Sequence, residues 1–206
     1  MKDAVDRLTP LGVMILALLG EGDMHPYEMI RLMRLRRDDR LVAITNGTMY
    51  HTVARLEKAG LVHEIGVDRA GNRPERTTYA VTDAGTRAVI EWIRRELPRI
   101  DRPAEFRVAL AEAHNLEREE AVPLLRTRRA ALAAAHIELT AGRQKAATRE
   151  VPEQYLLEVD RELVMLSADL TWLDALIARL ERDDFPWGAP ELPSERYLQD
   201  RKAARQ

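Results

Sequence analysis

The chain contains no cysteine in its 206 residues, which excludes a disulfide framework and any thiolate metal site and fits a reducing cytoplasm. Aromatic residues are only 5% of the chain, and β-branched and aromatic residues are sparse outside one short segment, so a large sheet is excluded. Neither sign of charge dominates: 32 Lys and Arg stand against 34 Asp and Glu, a formal net charge of −2. Any polyanionic partner must therefore be met by a local patch rather than by the whole surface. The apolar run Leu11–Leu19 is too short to span a bilayer. Asp3 and Asp6 before it, and Gly20-Glu21-Gly22-Asp23 after it, do not suit a signal peptide, so it reads as a buried first helix with no membrane partner. His25, His51, His63, His114 and His136 fall in no metal-ligand spacing, and no nucleophile elbow or phosphate-cradling glycine loop is present. An enzyme is not expected, nor a metal or cofactor.

What is present is a helix-rich composition, 46% hydrophobic and 32% charged, organised around Thr45–Thr82. Thr45-Asn46-Gly47 resembles a helix cap, and Met49, Val53 and Leu56 then recur at helical spacing as one buried stripe. Thr48, His51, Thr52 and Arg55 fall on the opposite face, with Tyr50 at its edge. Gly60 closes the helix as a left-handed residue. Two β-prone pieces follow, Leu61–Ile65 and Thr77–Val81, around a polar loop with Gly66, Gly71, Asn72 and Pro74. Arg69, Arg73 and Arg76 give this hairpin a basic tip. A capped helix with small polar outward residues and an arginine-tipped hairpin directly after it is the pattern of a winged helix-turn-helix. Short polar side chains near the helix start let its backbone approach base edges, and Asn46, Gly47 and Thr48 offer free backbone N–H groups to a phosphate.

Upstream, Thr9-Pro10 is a helix start. Met24-His25-Pro26-Tyr27 opens a second helix with Tyr27, Ile30 and Met33 at helical spacing. Arg36, Arg37 and Arg40 follow it and are candidate phosphate anchors. Downstream, Thr82-Asp83-Ala84-Gly85 caps a fourth helix through Val89, Trp92 and Ile93 to Leu97. Pro98–Pro103, kept extended by its two prolines, is the expected boundary of a first domain, residues 1–97. That half carries 15 Lys and Arg against 14 Asp and Glu, the remainder 17 against 20.

Residues 98–184 read as a helical dimerisation or effector domain. Phe106, Leu110 and Ala113 form one stripe, and Leu125, Leu132 and Leu139 recur seven apart in a long charged helix, 117–147. In the last long helix, 153–182, Leu156, Leu163, Leu170 and Ile177 repeat by sevens, with Val159, Leu166, Leu173 and Leu180 three positions later. Four heptads with both seam positions apolar are a coiled-coil signal. The two long helices can pair as an antiparallel hairpin; eight seam positions plus Trp172 ask for more surface than that, and a second copy of the chain is the expected partner. Residues 185–206 form a proline-containing tail. Phe185 and Trp187 are candidates to dock it, and Ser194–Ala204 reads either as a short helix or as a mobile end.

The chain resembles the PadR family of transcriptional regulators. Over residues 8–97 the resemblance rests on Leu8-Thr9-Pro10-Leu11 with Ile15–Leu19, His25-Pro26-Tyr27-Glu28-Met29, Gly47-Thr48-Met49-Tyr50, Arg55-Leu56-Glu57, Gly60-Leu61-Val62 and Tyr79-Ala80-Val81-Thr82 with Ala84-Gly85. The C-terminal helices look like the longer, three-helix type. Pro26 and His51 depart from the family pattern, which has glycine and proline there. The resemblance implies a mostly α fold with a small β-hairpin wing: an N-terminal winged helix-turn-helix and a C-terminal helical dimerisation domain. It further implies a cytoplasmic homodimer, usually a repressor, binding double-stranded DNA at an inverted repeat through Asn46, Gly47, Thr48, Tyr50, His51 and Arg55. Release by a small aromatic effector is a frequent family property, and Trp92 and Trp172 are the candidates to stack on one. Two readings compete: an all-helical TetR-type regulator, disfavoured by the hairpin, and a helical adaptor whose winged module binds protein.

Overall fold

The computed structural model describes residues 5–68, 76–188 and 195–205. Among these are eight α-helices and a two-stranded antiparallel hairpin. The order is α1 (Pro10–Gly20), α2 (Pro26–Leu35), α3 (Asn46–Lys58), β1 (Val62–Asp68), β2 (Arg76–Val81), α4 (Asp83–Glu96), α5 (Pro103–Ala111), α6 (Arg118–Thr148), α7 (Leu157–Leu180) and α8 (Glu195–Arg205). The fold is mostly α with a small β-hairpin wing, and no described helix is long and apolar enough to cross a membrane.

Helix starts are set by local chemistry. Thr9 caps α1 by accepting from the Gly12 N–H at 3.2 Å, with Pro10 at the first helical position, where its missing donor costs nothing. His25 does the same for α2: its Nδ1 accepts from the Tyr27 N–H at 3.0 Å ahead of Pro26. α1 is buried nearly all round, its Ile15 and Leu16 packing in one core with Met29, Ile30, Met33, Met49, Trp92 and Ile93. Tyr27 lies outside that core, 41% exposed; Pro26, Glu28, Met29, Ile30, Leu32 and Met33 form the buried face of α2.

The buried cluster continues into the C-terminal helices through Leu97, Val108, Leu116 and Leu125. Pro98–Pro103 is not an extended strap. It turns back on itself, with the Arg99 N–H donating to the Glu96 carbonyl at 3.2 Å and the Arg99 guanidinium held by both Asp101 oxygens at 2.9 and 2.6 Å. Arg128, buried on α6, donates to the Arg99 carbonyl and stacks 3.4 Å from the Phe106 ring centroid. The two prolines fix where helices stop and start, and Arg128 bends what lies between them.

α6 and α7 pair as an antiparallel hairpin, crosslinked by Arg129–Asp174 at 2.8 Å, Arg143–Asp160 at 2.6 Å and Arg126–Glu181. A short 3-10 turn, Glu153–Tyr155, precedes α7, so the last long helix begins four residues later than its periodicity predicts. Behind it, the Trp187 indole donates to the Leu116 carbonyl at 2.8 Å and the Phe185 carbonyl accepts from Arg118 at 2.5 Å, docking the start of the tail as expected. α8 returns to pack on α2.

Candidate nucleic-acid interface

α3 is fixed by local chemistry at both ends. Thr45 and Thr48 form a reciprocal capping box: Thr45 Oγ1 accepts from the Thr48 N–H, and Thr48 Oγ1 from the Thr45 N–H, each at 3.1 Å. Thr48 is therefore engaged in its backbone N–H and its hydroxyl alike, contrary to the expectation of a free N–H there. Asn46 and Gly47, in the first turn and exposed, retain the unfilled amide positions of a helix start. At the far end Gly60, at φ +70°, takes the left-handed position expected of it, and the Leu61 N–H reaches back to the Leu56 carbonyl at 2.9 Å.

The inward face is Met49, Thr52, Val53 and Leu56. Thr52 was expected on the outward face and is instead 6% exposed. α1 packs over this position, with the Thr52 methyl within van der Waals reach of where a Cβ at Gly12 would stand, 3.7 Å away. Asn46, Tyr50, His51 and Arg55 are exposed along one side of α3. Tyr50 packs edge-on against His25, ring centroids 6.3 Å apart, which brings the first turn of α2 next to the outward edge of α3.

The hairpin is bolted to this helix at its base. Thr82 Oγ1 donates to the Gly60 carbonyl at 2.8 Å and accepts from the Gly85 N–H at 3.1 Å, while the Thr82 N–H donates to the Leu61 carbonyl at 3.0 Å. Gly85 permits this approach, since a Cβ there would sit 2.2 Å from the Leu61 carbonyl oxygen. β1 and β2 pair from Val62↔Val81 to Asp68↔Arg76, with a bulge between Glu64 and Gly66, and Met24 bridges to Tyr79 from α2's leading segment. The wing thus leaves α3 at a fixed angle. Arg69 and Arg73 lie outside the described residues; Arg76 opens β2 opposite Asp68.

The arginines beyond α2 separate in role. Arg36 donates to both oxygens of Glu21 at 2.7 Å, and this partner holds its guanidinium above its ordinary pKa. It is committed inside the chain rather than offered to a phosphate. Arg37, left-handed at φ 63°, has an 81% exposed side chain with a loose 3.9 Å pairing to Asp39, and Arg40 is exposed. Those two remain available.

The sites assigned to the C-terminal half fall as follows. Leu156, Leu166, Leu173, Ile177 and Leu180 are buried within the chain, and Val159, Leu163 and Leu170 are half-buried. The heptad seam is spent largely against α6. A second apolar stripe, Leu157, Val164, Met165 and Trp172, faces outward on α7, with Ile137 exposed on α6. Trp92 is 1% exposed in the core on α4, and Trp172 is 43% exposed on α7. A groove of about 510 Å³ between α6 and α7 is lined by Leu139, Arg143, Leu156, Val159 and Leu166 among others, and by neither tryptophan.

The profile of the Transcriptional regulator PadR-like family matches residues 15–91. No curated protein matches the chain. Among solved structures, Bacillus subtilis PadR in complex with operator DNA is similar at 19% identity, over 83% of this chain and 99% of that one, with a TM-score of 0.40. Streptococcus mutans smu.1604c is similar at 18% identity over 81% and 98%, TM-score 0.38. Bacillus subtilis PadR in complex with p-coumaric acid is similar at 18% identity over 84% and 100%, TM-score 0.36. The matched stretch, residues 15–91, holds α2, α3, both strands of the hairpin and most of α4, and over it this chain is similar to the PadR-like family of transcriptional regulators.

Proposed function

We propose that the chain is a sequence-specific DNA-binding repressor that acts as a homodimer on an inverted repeat. One observation carries this reading: α3 presents exposed Asn46, Tyr50, His51 and Arg55 along one side while its opposite side is locked in the core. A helix held so rigidly, with polar and aromatic tips outward and a hairpin clamped beside it, suits insertion into a major groove. The amides of Asn46 and Gly47 would take a phosphate at the groove edge. Arg37, Arg40 and the wing arginines Arg69, Arg73 and Arg76 would grip the flanking backbone. That contact adds affinity without choosing sequence.

The dimer contact proposed is the outward side of the α6–α7 hairpin. Leu157, Val164, Met165 and Trp172 form an apolar stripe on a helix whose other apolar face is already satisfied, the pattern of a surface awaiting a second copy. The half-buried positions Val159, Leu163 and Leu170 lie on the opposite side of α7, with the buried residues that face α6. A two-fold axis there would set two copies of α3 roughly 34 Å apart, one duplex turn.

Selection of duplexes bound by the purified full chain tests the reading. An enriched inverted repeat with half-sites one turn apart is expected. Enrichment of no sequence, or of an asymmetric one, would contradict it and favour a winged module that binds protein. Within the selected site, His51→Ala should change which bases are preferred, whereas Arg37→Ala should weaken all sequences alike.

A further inference from the structure

α8 is tied to α2 by Arg201, which faces inward, and by the exposed Arg205, both paired with Glu28, and it carries Lys202 on its outer side. Arg201 and Ala204 face inward, 8% and 1% exposed. Arg201 Nε lies 3.0 Å from Glu28 Oε1, its Nη2 donates to the Asp23 carbonyl at 3.0 Å, and its Nη1 donates to the Tyr197 hydroxyl at 3.2 Å. Tyr197 donates in turn to the Glu21 carbonyl at 3.1 Å and lies 5.4 Å from the Arg36 guanidinium stacked over its ring. Arg205 Nε donates to the same Glu28 oxygen at 3.1 Å.

These contacts fix the direction of α8. Its beginning lies beside Arg36, at the far end of α2, and its end lies beside Glu28, in the first turn of α2. The two helices are therefore antiparallel. The first turn of α2 is also the end that meets α3, through His25 and Tyr50. The last turn of α8 is thus carried to the same edge of the molecule as the start of the reading helix. It arrives there with surplus charge, because the single Glu28 carboxylate faces both Arg201 and Arg205. Lys202 is exposed and makes no ion pair among the described residues, and the Arg205 side chain is 64% exposed.

We propose that the last turn of α8 is an additional DNA-contacting element, in which Lys202 and Arg205 meet the sugar–phosphate backbone beside the groove that α3 enters. The inference rests on the DNA-binding reading above and adds to it a contact from the opposite end of the chain. Such a contact is sequence-independent, and its signature is the salt dependence of binding: each phosphate neutralised contributes about 0.9 to the slope of log affinity against log salt.

The test uses the full chain and a mixed-sequence duplex titrated over a range of NaCl concentrations. Lys202→Gln, which breaks no internal ion pair, should reduce the slope by about 0.9 for each protomer bound. Arg205→Gln should reduce it similarly. Arg196→Gln, exposed at the opposite end of α8, should leave it unchanged, and thermal melts of the three variants should coincide with the parent within the loss expected for Arg205. A parent slope that is steep while Lys202→Gln leaves it unaltered overturns the role of α8 alone. A parent chain whose affinity ignores salt, or that does not bind duplex, overturns the DNA-binding reading itself.

Discussion

The α3–wing unit and the α6–α7 hairpin are both amphipathic structures, yet they are determined in different ways. α3 is marked chemically at each end, by the Thr45–Thr48 box and by Gly60, and its hairpin is bolted down by Thr82 and Gly85 within a short stretch of chain. The hairpin of long helices has no side-chain cap at the start of either member. Its order comes from apolar faces and from cross-helix pairs such as Arg129–Asp174. The lesson is that local chemistry fixes where an element starts, whereas the identity of what covers a face is decided elsewhere in the chain or in another chain. Substitutions in the first region should therefore cost folding, and those on the outer face of the second should cost assembly.

The largest expected effect is at Gly85. Gly85→Ala places a methyl group 2.2 Å from a backbone oxygen, so α4 and the wing base must separate. A loss of about 3 kcal/mol in chemical denaturation is expected, as for other overpacked sites. A loss under about 0.5 kcal/mol, typical of surface positions, would show that the clamp is not needed.

A second effect lies outside both regions, where Glu112 at the end of α5 faces the charged groups that follow α1 and α2. Burial, reinforced by Glu21 and Asp38, pushes the Glu112 carboxyl up to about 7, while Asn115 and Arg36 oppose the shift. The unfolded group titrates near 4.5, so the folded chain holds the proton more tightly. Its contribution is complete below that value and is lost as pH rises through about 7. Stability should fall across this window by on the order of 2 kcal/mol, and Glu112→Gln should flatten the fall. An unchanged pH profile in that variant would assign the dependence to other groups.

Smaller again is Thr45→Ala, which removes one side of the capping box and should cost about 1 kcal/mol. It should also weaken DNA binding, since the first turn of α3 then frays, and amide exchange at Asn46 and Gly47 would report this directly. Smallest in folding energy is Trp172→Glu. At an exposed position it should alter monomer stability by no more than about 0.5 kcal/mol, yet shift the sedimentation coefficient from dimer to monomer. A dimer that survives this change would move the interface away from the outward stripe of α7.

α3 and the hairpin were legible because their signals are contiguous: a threonine cap, an apolar stripe, a left-handed glycine, then two short strands. Thr52 reads as outward from its polarity and lies inward because α1, about forty residues earlier in the chain, packs over it, a contact that leaves no periodic trace in α3. The heptads of α7 were legible as apolar faces, but heptad spacing is the same whether the partner helix is α6 or a second copy. The docking of α8 had no sequence signal either, for Glu28 and Arg201 lie at opposite ends of the chain and meet only after folding. Arg36 shows the same limit: in sequence it is one arginine among several, and only the structure pairs it with Glu21.

The absence of cysteine gives the most direct test of the central claim. A DNA-cleaving chemical probe attached at the single site created by His51→Cys should cut the selected duplex at two positions about one helical turn apart, on the major-groove side. Cleavage at a single position, in the minor groove, or nowhere would contradict a reading helix presented twice.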